Sequence, residues 1–288
     1  MKHFRYLTKE AIMKGVFFLA ACASILAVAL ICLFLFANGL PAIGKIGPLD
    51  FLLGQVWKPG NDLYGILPMI LGSIYVTAGA IVVGVPIGIL TAVFMARFCP
   101  KKAYRVLKPA IELLSGIPSV VYGFFGLVVI VPLIREIFPD SKGTTMLAAS
   151  LLLGIMILPT IIGVSESAIR AVPESYYEGG LALGASHERS VFFATLPAAK
   201  SGILAGVVLG VGRAIGETMA VIMIAGNQPR MPAGLLKGVR TMTANIVMEM
   251  GYAADLHREA LIATAVVLFV FILLINLLFS VLKGRSKE

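Results

Sequence analysis

The chain has 288 residues, of which 59% are hydrophobic and 14% are charged, and its formal net charge at pH 7 is +9. Soluble globular domains contain about 45–50% apolar and about 25% charged residues, so the composition excludes an ordinary soluble domain. The apolar runs are continuous, whereas the strands of a membrane barrel alternate apolar and polar residues. The chain is therefore predicted to be an all-α membrane protein with several spans.

Six apolar windows are long enough to cross a bilayer, which takes about 20 residues in a helix. They form one predicted transmembrane domain, 1–288, with spans at about 15–39, 66–96, 113–134, 144–165, 201–227 and 260–282. The first run is too long for a cleavable signal and is interpreted as a retained span. Cys22, Cys32 and Cys99 form no CxxC pair, so neither a disulfide framework nor a metal site is predicted. Trp57, the only tryptophan, is interpreted as an anchor at the membrane interface.

The distribution of lysine and arginine predicts which side of the membrane each loop faces, because basic residues concentrate in cytoplasmic loops. Six spans place both termini on one side, and the basic residues of that side include Lys2, Arg5, Lys9, Lys14, Arg97, Lys101, Lys102, Arg105, Lys108, Lys283, Arg285 and Lys287. Both termini are thus predicted to be cytoplasmic, and the net positive charge needs no nucleic-acid partner to explain it. Segment 230–259 is predicted to lie outside and fits this rule poorly, since it contains Arg230, Lys237, Arg240 and Arg258.

The fifth predicted span carries two charges, Arg213 and Glu217, within an apolar stretch. A charge at the centre of a membrane helix costs about 2.5–3.5 kcal/mol on insertion scales. Four residues apart on a continuous helix, the two side chains would share one face and could neutralise each other. One interpretation is a buried ion pair that fixes helix packing. The other is an anion station, in which the planar fork of Arg213 binds an oxyanion and Glu217 competes for Arg213 when the site is empty.

The longest predicted cytoplasmic loop, 166–200, carries signals for two short helices. Ser175 and Glu178 have the spacing of a capping box, and Gly184 stands where the first helix should stop. Ser186 can cap the second helix. Such an element could lie on the membrane surface or fill a groove on a partner, and the pattern alone favours neither. No GxxxxGK[ST] motif occurs, so the chain is not predicted to bind ATP itself.

This loop resembles the EAA motif of ABC-importer permeases, in which Glu-Ala-Ala is followed after three residues by Gly and after nine more by Ile-x-Leu-Pro. The positions that match the motif are Glu178, Gly184, Leu196 and Pro197. Gly179 and Gly180 stand for the two alanines of the motif, and Ala194 stands for the isoleucine. The resemblance implies that residues 166–200, here called the coupling loop, dock into an ATPase subunit.

The stretch GRAIGETMAV, from Gly212 to Val221, resembles phosphate-specific ABC permeases, and the outer segment from Trp57 to Pro68 resembles their PstC-type subunit. The resemblance covers nearly the whole chain. It implies the permease fold of a type I ABC importer in the plasma (inner) membrane of a bacterium or archaeon, with Arg213 and Glu217 on the phosphate route. It also implies a second permease subunit, two ATPase subunits that hold ATP and magnesium, and an extracytoplasmic phosphate-binding protein. No cofactor is expected on this chain.

Three other functions are consistent with the two charges. The chain could be a permease for another oxyanion, or a gradient-driven secondary transporter that uses Arg213 and Glu217 as a proton-coupled pair. It could also be a membrane scaffold without a pathway. The EAA-like loop argues against the last two, since neither of them needs a dock for an ATPase.

Overall fold

The computed structural model describes the backbone of residues 2–284 and the side chains of residues 12–279 and of Val281. Six helical units in this part of the chain are long and apolar enough to cross a membrane, which confirms the predicted number: Ile12–Ile46, Leu67–Phe98, Ser119–Ile137, Met146–Arg170, His187–Gly216 and Asp255–Phe279. The tail cations Lys283, Arg285 and Lys287, which contribute to the orientation prediction, lie outside the described side chains.

The helices, in chain order, are α1 (Lys2–Ile46), α2 (Pro48–Leu53), α3 (Leu67–Val93), α4 (Lys101–Gly116), α5 (Ser119–Phe125), α6 (Val131–Ile137), α7 (Met146–Arg170), α8 (Glu174–Ala182), α9 (His187–Ser190), α10 (Leu196–Gly216), α11 (Met219–Ile224), α12 (Met242–Glu249) and α13 (Asp255–Gly284). Three π-helical turns extend or join them: Phe94–Phe98, Gly126–Ile130 and Val191–Thr195. Two short strands, β1 (Trp57–Lys58) and β2 (Leu63–Tyr64), pair antiparallel with Trp57 opposite Tyr64.

Helix α7 is the centre of the bundle and packs against both α3 and α10. Small residues on a membrane helix permit a neighbouring helix to approach closely, and two glycines of α10 do so. Gly206 and Gly210 face α7, where a Cβ on Gly210 would lie 2.8 Å from Cγ1 of Ile161. Gly212 and Gly216 face open space instead. Helix α1 lies at the edge of the bundle against α13.

The third predicted span, 113–134, begins at Ser119 instead, because the chain leaves helical geometry at Ile117 and Pro118. A residue that precedes proline disfavours the helical region, and here Ile117 is extended with ψ 126°. Residues 101–116 therefore form the separate helix α4, none of whose residues is buried. The fifth predicted span, 201–227, also differs, since its helix ends at Gly216.

The interpretation of Trp57 as an interfacial anchor is wrong. Its side chain is buried, and its Nε1 donates a 2.8 Å hydrogen bond to Oε2 of Glu249 in α12. The same carboxylate accepts from Arg240 and lies 2.9 Å from Nε2 of His257. This network ties the strand pair to α12 and α13, and it gives an ionic partner to Arg240, one of the cations that fit the orientation prediction poorly.

Candidate functional site

Arg213 lies in the last turn of α10, half-buried among the spans. Its Nη1 donates a 3.3 Å hydrogen bond to Oγ1 of Thr160 in α7. Among the described side chains, no carboxylate oxygen lies within 4.0 Å of its guanidinium nitrogens. A full positive charge is therefore held within a membrane span with a neutral hydroxyl as its partner.

Glu217 is not on the helix that carries Arg213. The helix ends at Gly216, and Glu217 is extended with φ −69° and ψ 132°. Its Oε1 accepts hydrogen bonds from the backbone N–H of Thr218 at 3.1 Å and of Ala220 at 3.2 Å. The carboxylate thus caps the start of α11, where free N–H groups and the helix dipole favour a negative charge.

The prediction that Arg213 and Glu217 share one helix face and neutralise each other is therefore wrong. Gly216 and Thr218 flank Glu217, and both residue types are poorer helix formers than alanine. Two backbone N–H groups stabilise the carboxylate of Glu217 at the break. A buried ion pair would instead require the desolvation of a second charge, that of Arg213, beside the carboxylate. The sequence contains a signal for this helix break, because a glycine, a carboxylate and a threonine directly precede the apolar run of α11.

The backbone of the break is satisfied by side chains around it. Thr218 Oγ1 donates to the carbonyl of Gly216 at 3.2 Å, and Thr243 Oγ1 donates to the carbonyl of Glu217 at 3.1 Å. Irregular backbone within a membrane occurs where it is buried in protein or lines a water-filled cavity. Interrupted spans of this kind are a feature of transport pathways.

The coupling loop folds as two short helices, as its sequence predicts. Helix α8 ends in a Schellman motif, in which Gly184 N–H bonds to the carbonyl of Leu181 and Ala185 N–H bonds to that of Gly180. Gly184 has φ +81°, the left-handed conformation expected at this position. Ser186 Oγ accepts from the N–H of Arg189 at 3.3 Å, which confirms the predicted cap of α9.

The predicted capping box of α8 is wrong. The helix begins at Glu174, directly after Pro173, so Ser175 is already inside the first turn. No side chain caps this end. Proline fixes the backbone at the entry to the helix, and the helix starts two residues earlier than the Ser175–Glu178 spacing indicates.

The two glycines that replace the alanines of the EAA motif differ in their surroundings. A Cβ on Gly180 would lie 2.7 Å from Oγ of Ser190, so α8 and α9 pack too closely there for a side chain. A Cβ on Gly179 would meet nothing within 4 Å. Leu196 is half-buried and Pro197 is exposed in the first turn of α10.

Helix α8 is fastened to the end of the second span. Arg97 Nη1 and Glu174 Oε2 form a 2.8 Å ion pair, and the Tyr177 hydroxyl lies 2.8 Å from Nδ1 of His187. On the free side, Leu183 is 91% exposed and Phe193 is 77% exposed, beside a concavity of about 420 Å³. Glu178 is also exposed. The coupling loop thus presents an apolar surface on a braced support.

Sequence reasoning missed a buried carboxylate at the first residue of the coupling loop. Glu166, near the end of α7, is 1% exposed and accepts hydrogen bonds from Tyr104 and Lys108 of α4 and from Arg170. The hydrogen bond to Glu166 raises the pKa of Lys108, although burial of the ammonium group acts in the opposite direction. The i, i+4 spacing of Glu166 and Arg170 at the end of a predicted span was the available signal.

An interrupted membrane span whose arginine has no carboxylate partner among the described side chains, joined to an exposed and braced loop, is typical of the membrane component of a transport system. The chain belongs to the family described as binding-protein-dependent transport system inner membrane component, whose profile matches residues 84–288. It is accordingly a multi-pass protein of the plasma (inner) membrane.

Two relatives are similar over most of their length. The chain is 38% identical over 282 residues to the probable ABC transporter permease protein YqgH of Bacillus subtilis, covering 95% of this chain and 91% of the relative. It is 34% identical over 261 residues to the phosphate transport system permease protein PstC of Mesorhizobium japonicum, covering 84% and 80%. A solved bacterial alginate ABC transporter in complex with its pentasaccharide-bound periplasmic protein shares the fold, with a TM-score of 0.64 at 16% identity over 93% of this chain and 95% of that one.

Proposed function

We propose that the chain is the transmembrane permease subunit of an ATP-driven phosphate importer and forms the translocation pathway together with a second permease subunit. The observation that carries this proposal is Arg213, a guanidinium within a span that has no ionic partner in the described part of the chain. An unpartnered charge in a span costs several kcal/mol, and such charges mark substrate or ion pathways. A passing oxyanion would supply the missing partner.

The chemistry of Arg213 suits phosphate. Its positively charged guanidinium offers a planar fork of donors to a tetrahedral oxyanion. The hydrogen bond to Thr160 orients one nitrogen and leaves the other donors free for a ligand. Relatives named as phosphate transport system permeases make phosphate the anion we propose.

Glu217 has a different part in this proposal from the one its spacing indicated. Two backbone N–H groups hold its carboxylate at the start of α11, more than 4.0 Å from the guanidinium of Arg213. Glu217 thereby fixes the break in the span and leaves Arg213 available to the anion. A gradient-driven transporter would need the two residues as a coupled pair, and no observation favours that function.

The coupling loop supports the partners proposed for the chain. Leu183 directly follows α8, and Phe193 lies in the π-helical turn after α9; both are apolar and exposed, as a docking surface requires. We assign this surface to an ATPase subunit, of which the importer would contain two, and ATP hydrolysis to those subunits. An extracytoplasmic phosphate-binding protein would deliver the substrate on the opposite face.

The proposed orientation places the coupling loop and both termini in the cytoplasm. Reporter fusions after Lys108, within the basic helix α4, should give cytoplasmic signals, because basic segments resist export. Fusions after Lys142, in the loop between α6 and α7, should report the opposite side. The same signal from both fusions would contradict the six-span arrangement in the membrane.

The function is tested by uptake of labelled phosphate into vesicles that contain the complete transporter, with ATP on the ATPase side. Arg213→Leu should assemble normally and reduce uptake about 10- to 100-fold, since a hydrogen bond to a charged group contributes about 1.5–3 kcal/mol. Arg213→Lys should lose part of the activity, and Arg213→Leu/Glu217→Leu should be inactive. Arg105→Leu, which removes an exposed arginine of α4, is the matched control. Uptake near the wild-type rate by Arg213→Leu, with equal amounts of inserted complex, would refute the proposed role.

A further inference from the structure

A basic concavity of about 320 Å³ lies on the side of the bundle opposite the coupling loop. Its wall comes from the loop between α6 and α7 and from the segment between α11 and α12. Three cations line it, Lys142, Arg230 and Lys237, against one carboxylate, Asp140. Thr144 and Gln228 add neutral polar groups. We call this concavity the outer vestibule.

The backbone that carries these cations is fixed to the bundle. The carbonyl of Lys237 accepts a 2.9 Å hydrogen bond from Met146 N–H, at the start of α7. The carbonyl of Lys142 accepts a 2.7 Å hydrogen bond from Nε of Arg135. Residue Gly143 beside it has φ +78°, and a Cβ there would lie 2.6 Å from the carbonyl oxygen of Val131. The two lysines are therefore presented by ordered turns at one end of α7.

The cations of the vestibule differ from other basic residues on the same side. Lys45 pairs with Glu259 at 2.7 Å, and Arg240 pairs with Glu249. Within the described side chains, Lys142, Arg230 and Lys237 have no carboxylate within 4.0 Å. Membrane proteins usually carry more basic residues in their cytoplasmic loops than in their outer ones. Three cations without a described carboxylate partner on the outer face therefore favour a ligand of opposite charge.

We infer that the outer vestibule is a low-affinity binding site for an inorganic oxyanion, which, under the function proposed above, is the phosphate that enters the pathway. A concavity lined by one sign of charge raises the local concentration of the opposite ion. Its volume accommodates a tetrahedral oxyanion with several waters of about 30 Å³ each. Exposed lysine and arginine side chains attract such an ion through water and release it readily, as a transport site must.

The chain connects this site with Arg213. The vestibule segment begins at Gln228, four residues after the end of α11 at Ile224, and α11 begins just beyond the break at Glu217. The six residues of α11 rise about 9 Å, and this helix is the regular element that lies between the two anion sites along the chain. An acidic partner protein is the other ligand of matching charge, but a recessed cavity favours a small ion over a flat protein surface.

The experiment measures binding of inorganic phosphate to the complete transporter in lipid nanodiscs without the binding protein, by broadening of the phosphorus NMR signal. The double variant Arg230→Gln/Lys237→Gln is compared with Lys58→Gln/Arg258→Gln, which removes the same charge from exposed positions outside the vestibule. Each pair is also measured in an Arg213→Leu background, where the vestibule is the remaining proposed site. We expect the vestibule variant to bind phosphate about tenfold more weakly than its control, and rising salt to weaken binding by the wild type.

Equal phosphate binding by the two double variants would overturn the inference. Unchanged phosphate binding together with weaker docking of the binding protein would overturn it in favour of a protein-docking surface. Uptake of labelled phosphate into vesicles by the wild type tests the proposed function separately from this binding experiment. Suppose that the wild type takes up no phosphate into vesicles, and that the vestibule variant alone has lost binding of phosphate or of sulfate. The proposed transport function would then be refuted, whereas the inferred oxyanion site in the outer vestibule would be retained.

Discussion

Nη1 of Arg213 and Oγ1 of Thr160 lie 3.3 Å apart, and this hydrogen bond joins α10 to the central helix α7. A neutral hydroxyl directs the guanidinium without neutralising it. Glu217, four residues later, is turned into the cap of α11 by the break that follows Gly216. The geometry therefore separates two charges that their spacing in sequence would have paired.

The cap at the break predicts different outcomes for two substitutions of Glu217. Glu217→Gln retains an oxygen that can accept from Thr218 and Ala220 N–H, so the break should persist. Glu217→Ala removes that acceptor and should cost about 0.5–2 kcal/mol of stability, the usual effect of losing a helix cap. Thermal unfolding of the solubilised complex measures both. Equal unfolding temperatures for the two variants would show that the carboxylate does not hold the break.

The two glycines of α8 predict opposite effects of the same substitution. Gly179→Ala should stabilise the helix by about 1 kcal/mol, because alanine is the better helix former and the space is open. Gly180→Ala should force α8 away from Ser190 and weaken co-purification with the ATPase. Each variant serves as the control for the other. The docking role of the packed helices would be contradicted if Gly180→Ala co-purified as well as Gly179→Ala.

Gly184 predicts an effect of backbone conformation alone, since a Cβ there would meet no atom within 4 Å. At φ +81°, a β-branched residue is strained by about 1–2 kcal/mol, whereas asparagine tolerates the left-handed region. Gly184→Val should leave the protein inserted but reduce ATPase association and phosphate uptake. Gly184→Asn should stay near the wild type in both assays. Normal association of Gly184→Val would remove this turn from the coupling mechanism.

The Lys108–Glu166 contact predicts a dependence of stability on alkaline pH. Its hydrogen bond raises the pKa of Lys108, although burial opposes the rise. The stabilisation is therefore complete below the ordinary lysine pKa of about 10.4 and is lost as pH rises through the folded pKa. The difference in unfolding temperature between the wild type and Lys108→Met should hold from about pH 7 to 9 and shrink above about pH 10.5. Lys101→Met, on the same helix and without a carboxylate partner among the described side chains, should show no such trend.

Features that depend on local composition could be predicted from the sequence. The six spans follow from continuous apolar runs, and the end of α8 follows from the conformational freedom of Gly184. The cap by Ser186 is equally local, because its partner is three residues away. In each case the deciding interaction lies within one helical turn or depends only on transfer to lipid.

Features that depend on partners far away in the sequence could not be predicted from it. The burial of Trp57 depends on Glu249, which lies 192 positions away and leaves no local signal in the sequence. The break at Glu217 requires Thr243 as well as its own cap, and Glu166 gathers donors from a helix about 60 residues earlier. Polar groups that tertiary contacts bury form hydrogen bonds with whichever partner the fold brings close to them. The helical periodicity of the sequence does not indicate which residue that partner is.

The burial of Trp57 also gives the chain an optical probe. All of its indole fluorescence arises from one ring, which is 5% exposed and lies 6.1 Å from the imidazole of His257, measured between ring centroids. Any rearrangement that parts the strand pair from α12 and α13 would let water reach the indole and shift its emission to longer wavelength. The opening and closing of this face could therefore be followed in real time without attaching a label.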